Sequence, residues 1–147
     1  MRLVTVAATQ MSCTWHKQEN LDRAEALIRQ AAAKGAQVIL IQELFETPYF
    51  CQKEKPEYYD LATSVQDNAA IALFSTLAKE LKVVLPVSFY EAANNARFNS
   101  LAMIDATGEC LGVYRKSHIP DGPGYEEKYY FSPGDTGFKV FKTIYGT

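Results

Sequence analysis

The run Ala36-Gln37-Val38-Ile39-Leu40-Ile41-Gln42-Glu43-Leu44-Phe45 constrains the fold more than any other stretch of the chain. Val38 to Gln42 reads as a strand suited to burial on both faces, because Val38 and Ile39 stand next to one another in an aliphatic run. Glu43 comes directly after it. Glu46-Thr47-Pro48-Tyr49 then breaks the pattern, since Pro48 has no backbone donor and biases Thr47 away from helix. A carboxylate at the carboxyl end of a buried parallel strand stands where open α/β sheets place their ligands. Partial desolvation there would suit it to proton transfer near neutral pH. The competing reading is a surface glutamate that merely ends a strand.

The flanking sequence supplies the partners such a strand needs. Leu3 to Ala8 is small or β-branched almost throughout and reads as a first buried strand, with no signal-peptide pattern before it. Trp15, in the polar stretch that follows, is expected as a lid over the core. Asn20 is a plausible N-cap for a helix running to Lys34, with Leu21, Ala24, Leu27, Ile28, Ala31 and Ala32 along one stripe. Gly35 suits the left-handed stop. Residues 3–42 therefore form a β-α-β unit, which implies parallel pairing and a right-handed crossover. After a long polar and aromatic loop, residues 51–66, Asp67 reads as the cap of a second helix to Lys82. Val83 to Phe89 is a third strand, in which Pro86 argues for an edge or a bulge. Arg97 to Asp105 and Cys110 to Arg115 form a hairpin about Asp105-Ala106-Thr107-Gly108. The sheet is thus expected to be mixed. His118 to Gly137 is rich in Pro, Gly and aromatics and reads as a site-forming loop. Phe138 to Ile144 reads as a last strand, the first arm of a hairpin whose return arm would lie beyond Thr147.

Composition removes several classes. A formal net charge of −2 without a basic cluster disfavours nucleic acid, and no apolar run approaches a membrane span. Cys13, Cys51 and Cys110 are widely spaced and odd in number, which points to reduced thiols and a cytoplasmic setting. Two histidines, His16 and His118, make no recognisable metal site. Gly122-Pro123-Gly124 lacks the spacing of a phosphate cradle.

The remaining signals are linked words. Gln42-Glu43-Leu44 follows an aliphatic strand, Tyr114-Arg115-Lys116-Ser117-His118-Ile119-Pro120 ends another, and Glu127-Lys128-Tyr129-Tyr130-Phe131-Ser132-Pro133-Gly134-Asp135 comes next. In order and separation these resemble the nitrilase superfamily of carbon–nitrogen hydrolases, and Val6-Ala7-Ala8-Thr9-Gln10 is similar to that family's first strand. The resemblance implies an α/β fold, half of a nitrilase-type αββα sandwich with a mixed sheet, and residues 1–147 as one partial domain. It implies Cys-Glu-Lys covalent catalysis, with Glu43 as general base, Lys116 stabilising the tetrahedral oxyanion and Glu127 positioning Lys116 or the substrate. Two carboxylates around one ammonium would keep it protonated despite burial. The family's nucleophilic cysteine is expected after Thr147, so residues 1–147 alone are expected to be inactive, and all three cysteines present are expected to be buried and inert. No metal or organic cofactor is implied. Glu43-Leu44-Phe45-Glu46-Thr47-Pro48-Tyr49-Phe50-Cys51-Gln52 is most similar to the branch acting on small carbamoylated amines such as N-carbamoylputrescine, with a homo-oligomer as the expected assembly. A β-ureidopropionase-like carbamoyl hydrolase and a non-catalytic interaction module are the rival readings.

Overall fold

A computed structural model describes residues 3–147, so Met1 and Arg2 lie outside the account that follows. Strand β1 (Val6–Ala8) runs parallel to β2 (Val38–Leu40), with helix α1 (Lys17–Ala33) as the crossover. Helix α2 (Ala69–Leu81) leads into an antiparallel meander of β3 (Leu85–Ala93), β4 (Ala96–Ile104) and β5 (Cys110–Arg115). The parallel pair meets the meander at one bridge, Val38 to Val84. There Ile39 N donates to Val84 O at 2.9 Å and Val84 N to Gln37 O at 2.8 Å. The spatial order is therefore β1-β2-β3-β4-β5, mixed as the sequence implied.

Strand alternation sorts the side chains of this sheet. Leu85, Val87 and Phe89 of β3 pack with Ile39, Ile41, Ala102 and Ile104 against Ile28, Phe74 and Leu77 of the helices. The alternate residues Leu40, Leu101 and Met103 fall on the other face and stay half-buried or exposed. Val38 to Gln42 is thus not buried on both faces. Helices cover one face, and the other opens on a cleft and on apolar surface that includes Val6 and Leu40.

Several local expectations are corrected. Asn20 does not cap α1, which starts three residues earlier with His16 at its N-cap. Its fully buried amide accepts from Thr14 N (2.9 Å) and donates to Glu46 O (2.9 Å), tying the loop before α1 to the segment after β2. Asn68, not Asp67, caps α2 by accepting from Ile71 N at 2.9 Å, while Asp67 bonds Ser64 Oγ. Pro86 makes no bulge, because β3 pairs β4 without interruption from Leu85 to Ala93, but it does stand at an open edge, since β3 is the outer strand of the meander past its single bridge to β2. Val84 hydrogen-bonds towards β2, so alternation turns Pro86's missing donor the same way, where the β2–β3 pairing has already ended. The β3–β4 connection, unforeseen from the sequence, is Asn94-Asn95 with both residues left-handed (φ 51° and 59°), the requirement of a type I′ turn. Trp15 is half exposed and stacks on Tyr58 at 5.1 Å rather than roofing the core. Phe138 to Ile144 forms no strand; only the Thr143–Gly146 bridge occurs there, and Phe138 and Val140 are exposed. A strand needs a ladder partner, and none is present among the described residues. Among those residues, no helix is long and apolar enough to cross a membrane.

Candidate active site

Three elements converge at the carboxyl ends of β2 and β5. Glu43 follows β2. Lys116 follows β5 and extends its ladder, donating from its backbone N to Asn99 O at 2.8 Å. Glu127 opens the one-turn helix α3 (Glu127–Tyr130). The Lys116 ammonium donates to Glu127 Oε2 at 2.8 Å and to Glu43 Oε1 at 3.2 Å. The three side chains singled out in the sequence are thus brought together.

Their environments differ. Glu127 is enclosed, with a side chain only 5% exposed, whereas Lys116 is 29% exposed and Glu43 54%. Glu43 is therefore far more open than a buried strand end implied, because it faces the cleft and not the helix layer. Glu126 does not share the inward direction of Glu127. The turn of α3, with Glu126 at its N-cap, separates the two directions. Burial by itself would lower the pKa of Lys116, but the hydrogen bond to Glu127 and the charges of Glu43 and Glu127 outweigh it. The ammonium is held above its ordinary range and stays charged.

Residues that sequence reasoning did not single out complete the geometry. Asn99 Nδ2 donates to Glu43 Oε1 at 2.5 Å, and Tyr49 OH donates to Glu127 Oε1 at 2.7 Å. Burial first, then this donation to a carboxylate, pushes the Tyr49 phenol well above its usual value, so it remains a donor. Below the site, Arg115 pairs bidentately with buried Glu91, Nε to Oε2 and Nη2 to Oε1 at 2.8 Å each, and Ser100 Oγ adds a 2.6 Å bond to Oε2. The Ser132-Pro133-Gly134-Asp135 word clamps the same stretch. Gly134 N donates to Lys116 O at 2.9 Å, and Asp135 accepts from Arg115 Nη1 at 2.8 Å. Glycine is required here: a Cβ on residue 134 would stand 2.1 Å from Arg115 O. One signal pointed to some of these residues. Ser88, Glu91, Asn99 and Ser100 are polar residues within largely apolar strands.

A cleft of about 370 Å³ opens over the pair, lined by residues that include Gln42, Glu43, Ser88, Asn99, Tyr114 and Lys116. None of the three free cysteines is presented to it as a nucleophile. Cys51 is fully buried, and its thiol is pushed well above its usual value by burial and then by the Glu127 charge, with Lys116 opposing only in part. Cys13 and Cys110 are half-buried, not fully enclosed as expected. Cys13 accepts from Gln42 Nε2 at 3.3 Å, and Cys110 lies at the β4–β5 turn. Among the described residues, no group of three or more His, Cys, Asp or Glu is placed to hold a metal ion.

The model of the carbon–nitrogen hydrolase family matches residues 5–147. An N-carbamoylputrescine amidase of Oryza sativa subsp. japonica is 60% identical over 144 residues, which is 98% of this chain and 48% of that protein. A citrullinase of Francisella tularensis is 50% identical over 145 residues, 99% of this chain and 51% of that protein. Among solved structures, a carbon–nitrogen hydrolase of Helicobacter pylori G27 superposes with a TM-score of 0.89 at 35% identity, over 96% of this chain and 48% of that one. The chain spans about half the length of the curated relatives it matches.

Proposed function

The chain belongs to the carbon–nitrogen hydrolase family, and on that premise we propose that the protein containing it hydrolyses N-carbamoylputrescine to putrescine, carbon dioxide and ammonia. The observation that carries this reading is the Lys116 ammonium held between Glu43 at 3.2 Å and Glu127 at 2.8 Å beside an open cleft. Glu43 is the general base, exposed enough to meet both a thiol and the leaving ammonia. Lys116 faces the carbonyl oxygen as negative charge develops on it. Glu127, held from its other oxygen by Tyr49, aims Lys116.

The nucleophile is a cysteine outside residues 1–147, a reading supported by the burial of Cys51 and by the absence of Cys13 and Cys110 from the residues lining the open cleft. Its sulfur adds to the carbamoyl carbon, its proton passes through Glu43 to the departing ammonia, and a water molecule then cleaves the thioester-like bond. The resulting carbamic acid loses carbon dioxide to leave the amine. The protein works in the cytoplasm as a homo-oligomer, supported by three free thiols and by the exposed apolar side chains Val6, Phe138 and Val140.

The identity to a citrullinase favours one second reading, since citrulline carries the same terminal carbamoylated amine with an added carboxylate. Ammonia release from N-carbamoylputrescine, citrulline and N-carbamoyl-β-alanine separates them. We expect the highest kcat/KM with N-carbamoylputrescine, abolished by Glu43→Gln. Preference for either substrate bearing a carboxylate would overturn the assignment.

A further inference from the structure

Glu43 is followed by a residue in a conformation its chemistry disfavours. Leu44 has φ 52°, in the left-handed region that glycine and asparagine enter readily and leucine does not. Its side chain is buried among Phe50, Cys51 and Tyr90. Its backbone N donates to Ser88 Oγ at 2.9 Å, a bond that reaches from β3 across the end of β2. The β2–β3 pairing is confined to the Val38–Val84 bridge, so past Leu40 no regular ladder holds this segment to β3. Pro86, which shares Ser88's face of β3, has no backbone donor to continue one. The Ser88 hydroxyl supplies the missing tie.

We propose that Ser88 is a positioning residue for Glu43, acting through the left-handed Leu44 backbone that turns the carboxylate toward Lys116. Anchored at Leu44, the chain leaves β2 with Glu43 directed over the cleft and within 3.2 Å of the Lys116 ammonium. Released from Ser88, Leu44 relaxes to an ordinary backbone conformation and swings Glu43 away from both Lys116 and Asn99. This role rests on the proposed use of Glu43 as base, yet the anchoring itself is independent of substrate.

The test uses the full-length protein in three forms: unsubstituted, Ser88→Ala, and Ser88→Thr, which keeps the hydroxyl. Hydrogen exchange is followed in the peptide containing Leu44, and steady-state hydrolysis of N-carbamoylputrescine across pH in the same samples. Ser88→Ala is expected to speed exchange at Leu44 by roughly tenfold, the loss of one buried hydrogen bond. A similar fall in kcat should accompany it, with KM little changed and an altered acidic limb of the pH profile. Ser88→Thr should restore the protection and most of the rate. Unchanged exchange in Ser88→Ala overturns the proposal, whatever the substrate. So does a rise in KM alone, which would make Ser88 a substrate contact. Should the unsubstituted protein not hydrolyse N-carbamoylputrescine, the substrate reading falls, and the exchange comparison still decides for or against the Ser88 anchor.

Discussion

Glu43 and Lys116, 73 residues apart in the chain, meet at 3.2 Å. The Lys116 backbone extends β5 beside Asn99, whose side chain holds the same Glu43 oxygen at 2.5 Å. One strand thus places both the carboxylate and the cation, so their separation depends on the β4–β5 register.

Replacing Lys116 by Met should leave two carboxylates facing a cation that is no longer there. In the full-length protein kcat should fall by about 10²–10³-fold, as on loss of one preorganised oxyanion partner. The pH dependence has a definite sign. Folding raises the pKa of Lys116 above its ordinary 10.5, so its contribution to stability is complete below that value and is lost as pH rises through the folded one. Melting curves of the parent and Lys116→Met should therefore converge in strongly alkaline solution. A gap that stays constant with pH would contradict the ion-pair account.

Tyr49→Phe removes the donor to one oxygen of the buried Glu127 while keeping the ring. A hydrogen bond to a charged group is worth about 1.5–3 kcal/mol. We expect a stability loss of that size by urea titration, with a reduced kcat and an unchanged fold by circular dichroism. A neutral result would mean that water replaces the phenol.

Removing one partner of the Arg115–Glu91 pair strands the other. Arg115→Ala should cost about 3–5 kcal/mol, because Glu91 is then buried without its cation. Burial alone would raise the pKa of Glu91, but the bonds from Arg115 and Ser100 outweigh it and lower it. Its stabilising contribution is therefore present above the ordinary 4.5 and is lost as pH falls through the folded value. Glu91→Gln should flatten the acid limb of the stability curve below about pH 4.5; an unaltered acid midpoint would refute this.

Gly134→Ala places a Cβ 2.1 Å from Arg115 O, against backbone that cannot rotate aside. The clamp on Lys116 must shift, at about 1–3 kcal/mol of overpacking strain. Loss of activity together with a lower melting temperature is the expected pattern. Full activity at an unchanged melting temperature would show that the clamp is dispensable.

Residues 1–147 in isolation should self-associate and release no ammonia from N-carbamoylputrescine. Phe138 and Val140 are 81% and 77% exposed, and Val6 and Leu40 lie on the face that the helices leave open. Light scattering over a concentration series checks this, and Phe138→Ser with Val140→Ser should reduce the association. A monodisperse monomer at high concentration, or ammonia release abolished by Cys51→Ala, would count against it.

Local chemistry in the chain determined much of what is seen. The aliphatic run at Val38 with Glu43 behind it, the α1 stripe through Leu21, Ala24 and Ile28, the β-α-β crossover and the β4–β5 hairpin all follow from side-chain period and turn residues, which act over a few positions. The linked words around Glu43, Lys116 and Glu127 named the three groups that meet. Other features depended on contacts between segments far apart in sequence, and only the tertiary structure decided them. Asn20 reads as a cap from its neighbours, yet it is claimed by Thr14 and by Glu46, 26 residues away. Pro86 reads as an edge or a bulge, and only the ending of the β2–β3 pairing after Val84 decides for the edge. Glu127 points inward because α3 turns it, and Leu44 is held left-handed because Ser88 lies within reach. Phe138 to Ile144 has the composition of a strand, but a strand exists only through its neighbour's hydrogen bonds, and no stretch of sequence can supply those to itself.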